Sequence, residues 1–314
     1  MDSIITHIVC LNRNPDLSPW FSDQLKQQLE AGLYQNDAEA LFRPICASLK
    51  EYSSNNHINT VVVGMSGGID SAVTAMIFQR AGWTVIPVIL PIHQNPAETQ
   101  RALETCQAMM IDPITVDLSD QYDSMVECLS KVDNELTAST DHHSRVRKGN
   151  IRARLRMATL YNIAHMHNGI VASTDNFSEM AAGFWTLHGD VGDVAPIQCL
   201  TKSWEVPLLA KYLGVPDSTR NAIPTDGLGI SNGDEDQMGF SYLEFDIGVF
   251  AMMHVTDIQD TLQDASPADC ELLDRIRDRV KRTVFKRRCP INLDHPTHAT
   301  RYISLKQLDD LLGN

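Results

Sequence analysis

The chain has 314 residues, enough for one large domain or two small ones with a substantial buried core. Hydrophobic residues make up 43% of the sequence and charged residues 21%, which is typical of a soluble globular protein. The formal net charge of −14 argues against a general nucleic-acid-binding protein, because a phosphate backbone favours the opposite sign.

The cysteines and the apolar segments indicate the cellular setting. The seven cysteines are scattered singly without a CxxC pair, which favours free thiols in a reducing compartment over a disulfide framework or a zinc site. The N-terminal stretch MDSIITHIVCLNRNPDL lacks the features of a secretory signal. No apolar run approaches the ~20 residues of a membrane span. We therefore expect a cytoplasmic protein without a membrane anchor.

Hydrophobic periodicity predicts an α/β fold. An amphipathic helical segment is predicted over residues 17–52 and is followed by a polar stretch at 53–59. Strands are predicted at 60–65, 84–90, 113–118 and 169–174, and helices at 69–80, 97–110, 145–167, 204–213, 242–253 and 267–286. Apolar strands that alternate with helices predict a doubly wound, mostly parallel sheet with helices on both faces. Residues 1–58 would then form an N-terminal helical extension packed on a domain at 59–314.

The segment VVVGMSGGIDSAVTAM, residues 61–76, is the first motif that suggests chemistry. A strand-to-helix turn without Cβ atoms lets backbone amides approach an anion, and a helix N-terminus favours phosphate. Ser66 and Ser71 add hydroxyl donors to the turn at Gly67 and Gly68. The spacing is neither that of the P-loop nor GxGxxG. The alternative is an ordinary βα turn in which Asp70 is an acid at the start of a helix.

The six residues SGGIDS, 66–71, resemble the SGGxDS signature of the N-type ATP pyrophosphatases, or PP-loop enzymes. Members cleave ATP to AMP and pyrophosphate while they adenylate an oxygen of their substrate. The resemblance implies that Ser66, Gly67, Gly68 and Ser71 bind the pyrophosphate part of ATP and that Asp70 helps to hold Mg²⁺. The signature does not specify the second substrate.

Five further segments resemble NAD synthetase in their order and spacing. They are GNIRARLRM (149–157), ASTDNFSEMAAGFWTLHGD (172–190), APIQCLTK (195–202), PTDGLG (224–229) and DEDQMGFSYLEFD (234–246). The resemblance covers about residues 60–290 and implies that 59–314 is an ATP pyrophosphatase domain of the NAD synthetase kind. The chain lacks the additional glutaminase domain of the glutamine-dependent form. The implied form is therefore ammonia-dependent.

The resemblance also implies a set of binding residues. Besides the turn, the implied ATP contacts are Gln94, Thr174, Lys202 and Thr225, the implied Mg²⁺ ligands are Asp70 and Glu179, and the implied deamido-NAD contacts are Arg154, Asp193 and Lys286. Taken singly, most of these have an ordinary structural interpretation, such as a surface acid for Glu179 or a solvated basic face around Lys286. Two family residues are replaced: a lysine by Leu187 and a histidine by Phe285.

The implied reaction is the ATP-dependent amidation of deamido-NAD to NAD with ammonia, through an NAD-adenylate and with release of AMP and pyrophosphate. No side-chain nucleophile is needed, and no cysteine or histidine has the setting of one. The resemblance further implies a homodimer. Two alternatives remain at the sequence level: a PP-loop ligase or thiolase that modifies tRNA, and a nucleotide-binding module without catalytic activity. Neither a basic RNA-binding appendage nor paired cysteines support the first alternative.

Overall fold

Three helices precede the first strand. The structure, a computed structural model, describes residues 2–288 apart from 15, 226–227, 229, 231–232, 254–261 and 263. The helices are α1 (Asp2–Leu11), α2 (Pro19–Glu30) and α3 (Ala38–Asn56). The single helical segment predicted over 17–52 is therefore wrong in detail. The side chains of Ser18 and Asp37 accept hydrogen bonds from the first turns of α2 and α3, so each helix has its own N-cap.

Four parallel strands form the sheet, in the order β3-β2-β1-β4. They are β1 (Thr60–Gly64), β2 (Thr84–Ile89), β3 (Ile114–Thr115) and β4 (Ile170–Val171). The α/β prediction is confirmed, but β3 and β4 are shorter than the predicted 113–118 and 169–174. Beyond β4, only a single bridge joins Ala172 to Val194, because the chain leaves the sheet there to form loops.

Helices cover both faces of the sheet. One face packs against α3, α4 (Ile69–Arg80), α5 (Pro96–Met109) and α10 (Glu205–Leu213), and the other against α6 (Ser119–Ser130) and α8 (His142–Met166). Alternate residues of β1 serve the two cores: Val61 and Val63 belong to the first and Val62 to the second. This alternation confirms the doubly wound arrangement.

The N-terminal helices also build a third core. In it, Phe21 and Leu25 of α2 are buried with Leu243 and Ile247 of α13 (Tyr242–Met253) and with residues of α14 (Pro267–Arg282). The Gln28 side chain donates a 2.9 Å hydrogen bond to the Ile247 carbonyl. These contacts bury one face of α2. The division of the chain at residue 58 stays a prediction.

Short helices complete the described chain: α7 (Glu135–Ala138), α9 (Phe177–Ala182), α11 (Asp217–Arg220), α12 (Asp234–Met238) and a 3₁₀ segment at Val284–Arg288. The helix predicted over 267–286 thus ends at Arg282. The six cysteines in the described residues are free thiols. Over the same residues, the structure contains no helix with both the length and the apolar character to cross a membrane.

Candidate active site

A cleft opens at the carboxyl ends of β1 and β4. After β1 the chain runs outward through β2 and β3, and it then returns to place β4 on the opposite side of β1. Ligands of open α/β sheets bind at such a switch point. The cleft has a volume of about 230 Å³ and is lined by the Ser66–Ser71 turn, by Thr174 and Glu179 after β4, and by Lys202.

The glycine turn adopts a conformation that only glycine accommodates easily. Gly67 has φ +83°, and a Cβ on it would lie 2.1 Å from the Glu98 carbonyl oxygen. The Ser66 hydroxyl accepts a 3.2 Å hydrogen bond from the Gly68 amide and lies 3.1 Å from the Ser71 hydroxyl. Within the described residues, no side chain caps α4 at Gly68. The first amides of α4 therefore face the cleft as an anion site.

Lys202 lies between the two predicted metal ligands. Its Nζ forms an ion pair with Asp70 Oδ2 and lies 3.7 Å from Glu179 Oε1. All three side chains are largely buried, with exposed fractions of 8% for Lys202, 15% for Asp70 and 14% for Glu179. The structure thus brings together three residues from distant parts of the sequence, since Asp70 and Lys202 are 132 positions apart.

Asn176 connects the turn to α9. Its side-chain oxygen accepts from the Glu179 amide at 3.0 Å, while a Glu179 carboxylate oxygen accepts from the Asn176 amide at 3.4 Å. Its Nδ2 donates to Asp70 Oδ1 at 3.1 Å. Sequence reasoning missed this residue, although Asn-x-x-Glu before a helix is the pattern of a capping box. The capping box fixes where Glu179 points relative to Asp70.

The cleft carries an excess of negative charge. Burial, followed by the charge of Asp70, raises the pKa of Glu179 well above its ordinary value. Burial lowers the pKa of Lys202, but the neighbouring carboxylates Asp70 and Glu179 more than compensate, and the net shift is upward. Burial and then Asp190 raise the pKa of Asp175, also in the cleft lining, to about 7. One ammonium group therefore faces several carboxylates.

This donor set fits a divalent cation. Asp70 and Glu179 present carboxylate oxygens close to each other, and Mg²⁺ prefers one or two carboxylates together with phosphate oxygens over an all-protein cage.

The other predicted ATP residues also line the cleft: Gln94, Thr174 and Thr225. The Gln94 amide donates to the Ser66 carbonyl at 3.2 Å, and its Oε1 accepts from Arg156 Nη2 at 3.5 Å. The Thr225 hydroxyl donates to Glu98 Oε1 at 3.1 Å. All predicted ATP contacts of the chain except Gly67 thus belong to the cleft lining, and Gly67 shapes the turn.

The three predicted deamido-NAD residues lie outside this lining. Arg154 Nε donates to the Leu187 carbonyl at 3.2 Å, and Lys286 Nζ donates to the Gly183 carbonyl at 2.7 Å. Arg154 and Lys286 therefore both contact the loop that leads from α9 to Val194, the residue bridged to Ala172. The Asp193 carboxylate accepts from the Tyr161 hydroxyl and the Val171 amide, each at 2.8 Å. Their role in dinucleotide binding stays a prediction.

Sequence reasoning missed several residues of the cleft. They include Arg101, Arg156, Asp175, Asp190 and Asp234. Arg156 Nε donates to the Leu90 carbonyl at 3.0 Å, whereas Arg154, two positions earlier on α8, points elsewhere. Residues two positions apart on a helix point in different directions, which accounts for this difference. Arg101 Nε donates to the Gly67 carbonyl at 3.0 Å and holds the turn from outside.

The chain combines a doubly wound parallel sheet, a glycine turn before an uncapped helix start and a buried Asp–Lys–Glu cluster at the switch point. This combination is that of a nucleotide-binding α/β enzyme of the ATP pyrophosphatase class. A family model described as NAD synthase matches residues 41–290. The chain therefore belongs to the NAD synthase family. The match begins inside α3, so most of the N-terminal extension lies outside it.

Relatives and solved structures agree with this family. The chain is 38% identical to an NH(3)-dependent NAD(+) synthetase of Alkaliphilus metalliredigens over 200 residues, which covers 63% of this chain and 81% of the relative. An NMN synthetase structure from Francisella tularensis has a TM-score of 0.70 at 30% identity, covering 83% and 100% of the two chains. An NH3-dependent NAD synthetase from Campylobacter jejuni has a TM-score of 0.65 at 28% identity, covering 82% and 100%.

Proposed function

We propose that the chain catalyses the ATP-dependent amidation of deamido-NAD to NAD with ammonia. The observation that carries this proposal is the Asp70–Lys202–Glu179 cluster beside the uncapped start of α4. The nicotinate carboxylate attacks the α-phosphorus of ATP, so an acyl-adenylate forms and pyrophosphate leaves. Ammonia then attacks the activated carbonyl carbon, and AMP leaves as NAD forms.

The protein's main task in this reaction is to position two anions and to stabilise the departing pyrophosphate. The amides at the start of α4 and the hydroxyls of Ser66 and Ser71 would hold the pyrophosphate oxygens. Lys202 would supply one positive charge. Asp70 and Glu179 would hold Mg²⁺, which, when bound, offsets the negative charge on the phosphates.

We assign the remainder of ATP to the rest of the cleft lining. Gln94, Thr174 and Thr225 line it and offer hydroxyl and amide groups to the nucleotide. Arg156 anchors Gln94 and adds a positive charge to this part of the lining. Apolar residues such as Met157 and Leu160 lie in the same lining and suit an adenine ring.

A homodimer and a cytoplasmic setting complete the proposal. Arg154, Asp193 and Lys286 do not reach the cleft of their own chain, which is compatible with a dinucleotide site completed by a second subunit. Tyr161 and Met166 of α8 are exposed to 41% and 64% and would be covered in such a dimer. The free thiols of the described cysteines suit a reducing compartment.

Amidation of the mononucleotide analogue is a second candidate. The Francisella tularensis structure, which has the TM-score of 0.70, is described as an NMN synthetase. Two features of this chain support this second candidate. Leu187 replaces a lysine that the family resemblance implies for deamido-NAD binding. The other predicted deamido-NAD contacts, Arg154, Asp193 and Lys286, lie outside the cleft lining. The nicotinate group to be amidated is the same in both substrates.

The test is a coupled assay for AMP and the amidated product with purified protein, ATP, Mg²⁺ and ammonium. Deamido-NAD, nicotinate mononucleotide and unmodified tRNA are supplied in parallel reactions, and glutamine replaces ammonium in a fourth. We expect stoichiometric AMP and NAD with deamido-NAD and no turnover with glutamine. A higher kcat/KM with the mononucleotide would favour the second candidate, and AMP release only with tRNA would refute both.

A further inference from the structure

A buried carboxylate outside the cleft connects the two segments that carry Glu179 and Lys202. Asp246 of α13 is 0% exposed and lies outside the cleft lining. Its Oδ1 accepts a 2.5 Å hydrogen bond from the Ser178 hydroxyl, and its Oδ2 accepts a 3.2 Å bond from the Ser203 amide. Ser178 immediately precedes Glu179, and Ser203 immediately follows Lys202.

The same connection has a second link. The Ser178 hydroxyl oxygen accepts a 2.9 Å hydrogen bond from the Lys202 amide. Asp246 is thus joined to the Lys202 backbone both through Ser178 and through the neighbouring Ser203. Because all these groups are buried, none of the bonds can be replaced by water without opening the structure.

A carboxylate at this place is costly for stability alone. Its neighbours on α13, Phe245 and Ile247, are fully buried, and an apolar residue at 246 would avoid the desolvation of a charge. Burial raises the pKa of Asp246 to about 7, although the hydrogen bonds from the Ser178 hydroxyl and the Ser203 amide lower it. Only a group with two acceptor oxygens satisfies Ser178 and Ser203 together.

We propose that Asp246 is a positioning residue that fixes the spacing of Glu179 and Lys202 and thereby sets the affinity for Mg²⁺ and ATP. This inference rests on the proposed function, because it assigns those two side chains to the nucleotide site. Outer residues that orient ligands of a metal typically change affinity or activity by about 10- to 100-fold when they are replaced.

The test compares Asp246→Asn, Ser178→Ala and the double variant with a matched control, Asp269→Asn. Asp269 is also a buried acid that accepts hydrogen bonds from serine hydroxyls and an amide, but it lies on α14, outside the cleft lining. Asparagine has one acceptor oxygen instead of two. Binding of ATP in the presence of Mg²⁺ is measured by titration calorimetry, and KM for ATP, kcat and the unfolding midpoint are measured for each variant.

We expect Asp246→Asn to weaken binding of ATP with Mg²⁺ by about 10-fold or more. Ser178→Ala should also weaken binding, but by less, because the bond from the Ser203 amide to Asp246 remains. The double variant should weaken binding by less than the product of the two single effects, because both changes remove the Ser178–Asp246 hydrogen bond. Asp269→Asn should lower the unfolding midpoint and leave the binding of ATP and its KM unchanged.

Unchanged ATP affinity in folded Asp246→Asn and Ser178→Ala, with only a lower unfolding midpoint, would overturn the inference. If Asp246→Asn does not fold, Ser178→Ala alone decides between these outcomes. The binding measurement contains no deamido-NAD. A wild-type protein that binds ATP but forms no NAD would therefore refute the proposed function while still testing the role of Asp246.

Discussion

Replacement of Lys202 by methionine tests the electrostatic account of the cleft. Methionine retains most of the side-chain volume and removes the charge that separates Asp70 from Glu179. The lysine is 8% exposed, so water cannot replace its ammonium group without a rearrangement. The variant therefore contains two closely spaced buried carboxylates without their cation.

The magnitude follows from the burial of this pair. Removal of one partner of a buried ion pair costs about 3–5 kcal/mol. For a chain of this size, about 2 °C is lost per kcal/mol, so the unfolding midpoint should fall by roughly 6–10 °C. The loss should be smaller at lower pH than at higher pH. The pKa of Glu179 is already raised and would rise further, so a bound proton can neutralise this group at the lower pH.

Thermal unfolding with and without Mg²⁺ provides the measurement, and Lys211→Met, an exposed position on α10, is the control for the loss of a lysine. A divalent cation should stabilise Lys202→Met more than the wild type, because it meets two carboxylates that lack their lysine. The reasoning is refuted if the Lys202→Met midpoint equals that of Lys211→Met, or if Mg²⁺ stabilises wild type and variant equally.

Two further predictions concern the turn and the pH dependence. Gly67→Ala should abolish ATP binding, because its Cβ would lie 2.1 Å from the Glu98 carbonyl oxygen. Gly82 has a similar positive φ but open space around it, so Gly82→Ala should cost only about 1 kcal/mol of stability and leave KM for ATP unchanged. Titration calorimetry with ATP and thermal unfolding of both variants check this prediction. The raised pKa of Asp175, about 7 instead of 3.8, means that the folded state holds this proton more tightly than the unfolded state, so stability is lost as pH rises from about 4 to 7. With a chelator present, Asp175→Asn should therefore be more stable to unfolding than the wild type by up to roughly 4 kcal/mol at pH 8 and by little at pH 4. Parallel pH profiles of the two proteins would contradict this.

Local patterns in the sequence predicted the elements that short-range physics determines. The helix predicted at 69–80 has the observed bounds, because the glycine turn begins it and Gly82 follows its end. The helix at 242–253 also has its predicted bounds. Continuous apolar runs alternating with helices were enough to predict the parallel sheet, since only a sheet covered on both faces buries such strands.

Other features were wrong or missing because distant residues determine them. The strand β4 is short because the chain leaves the sheet beside the cleft, and propensity carries no information about that departure. The helix predicted over 17–52 is two helices with separate caps. Arg156 rather than Arg154 lines the cleft, and only the rotation of α8 against the sheet decides between them.

The sequence alone determined the glycine turn at 66–71, because a motif of six adjacent residues encodes its own local geometry. Tertiary structure decided how the residues of the site meet. Asp70, Asn176 and Lys202 lie on separate segments, and their contacts exist only because β4 returns beside β1 and α9 and α10 follow it. The buried acid Asp246 joins the segments that carry Glu179 and Lys202, on the side away from the cleft. It has no recognisable signal in the sequence, since its partners Ser203 and Ser178 lie 43 and 68 residues away.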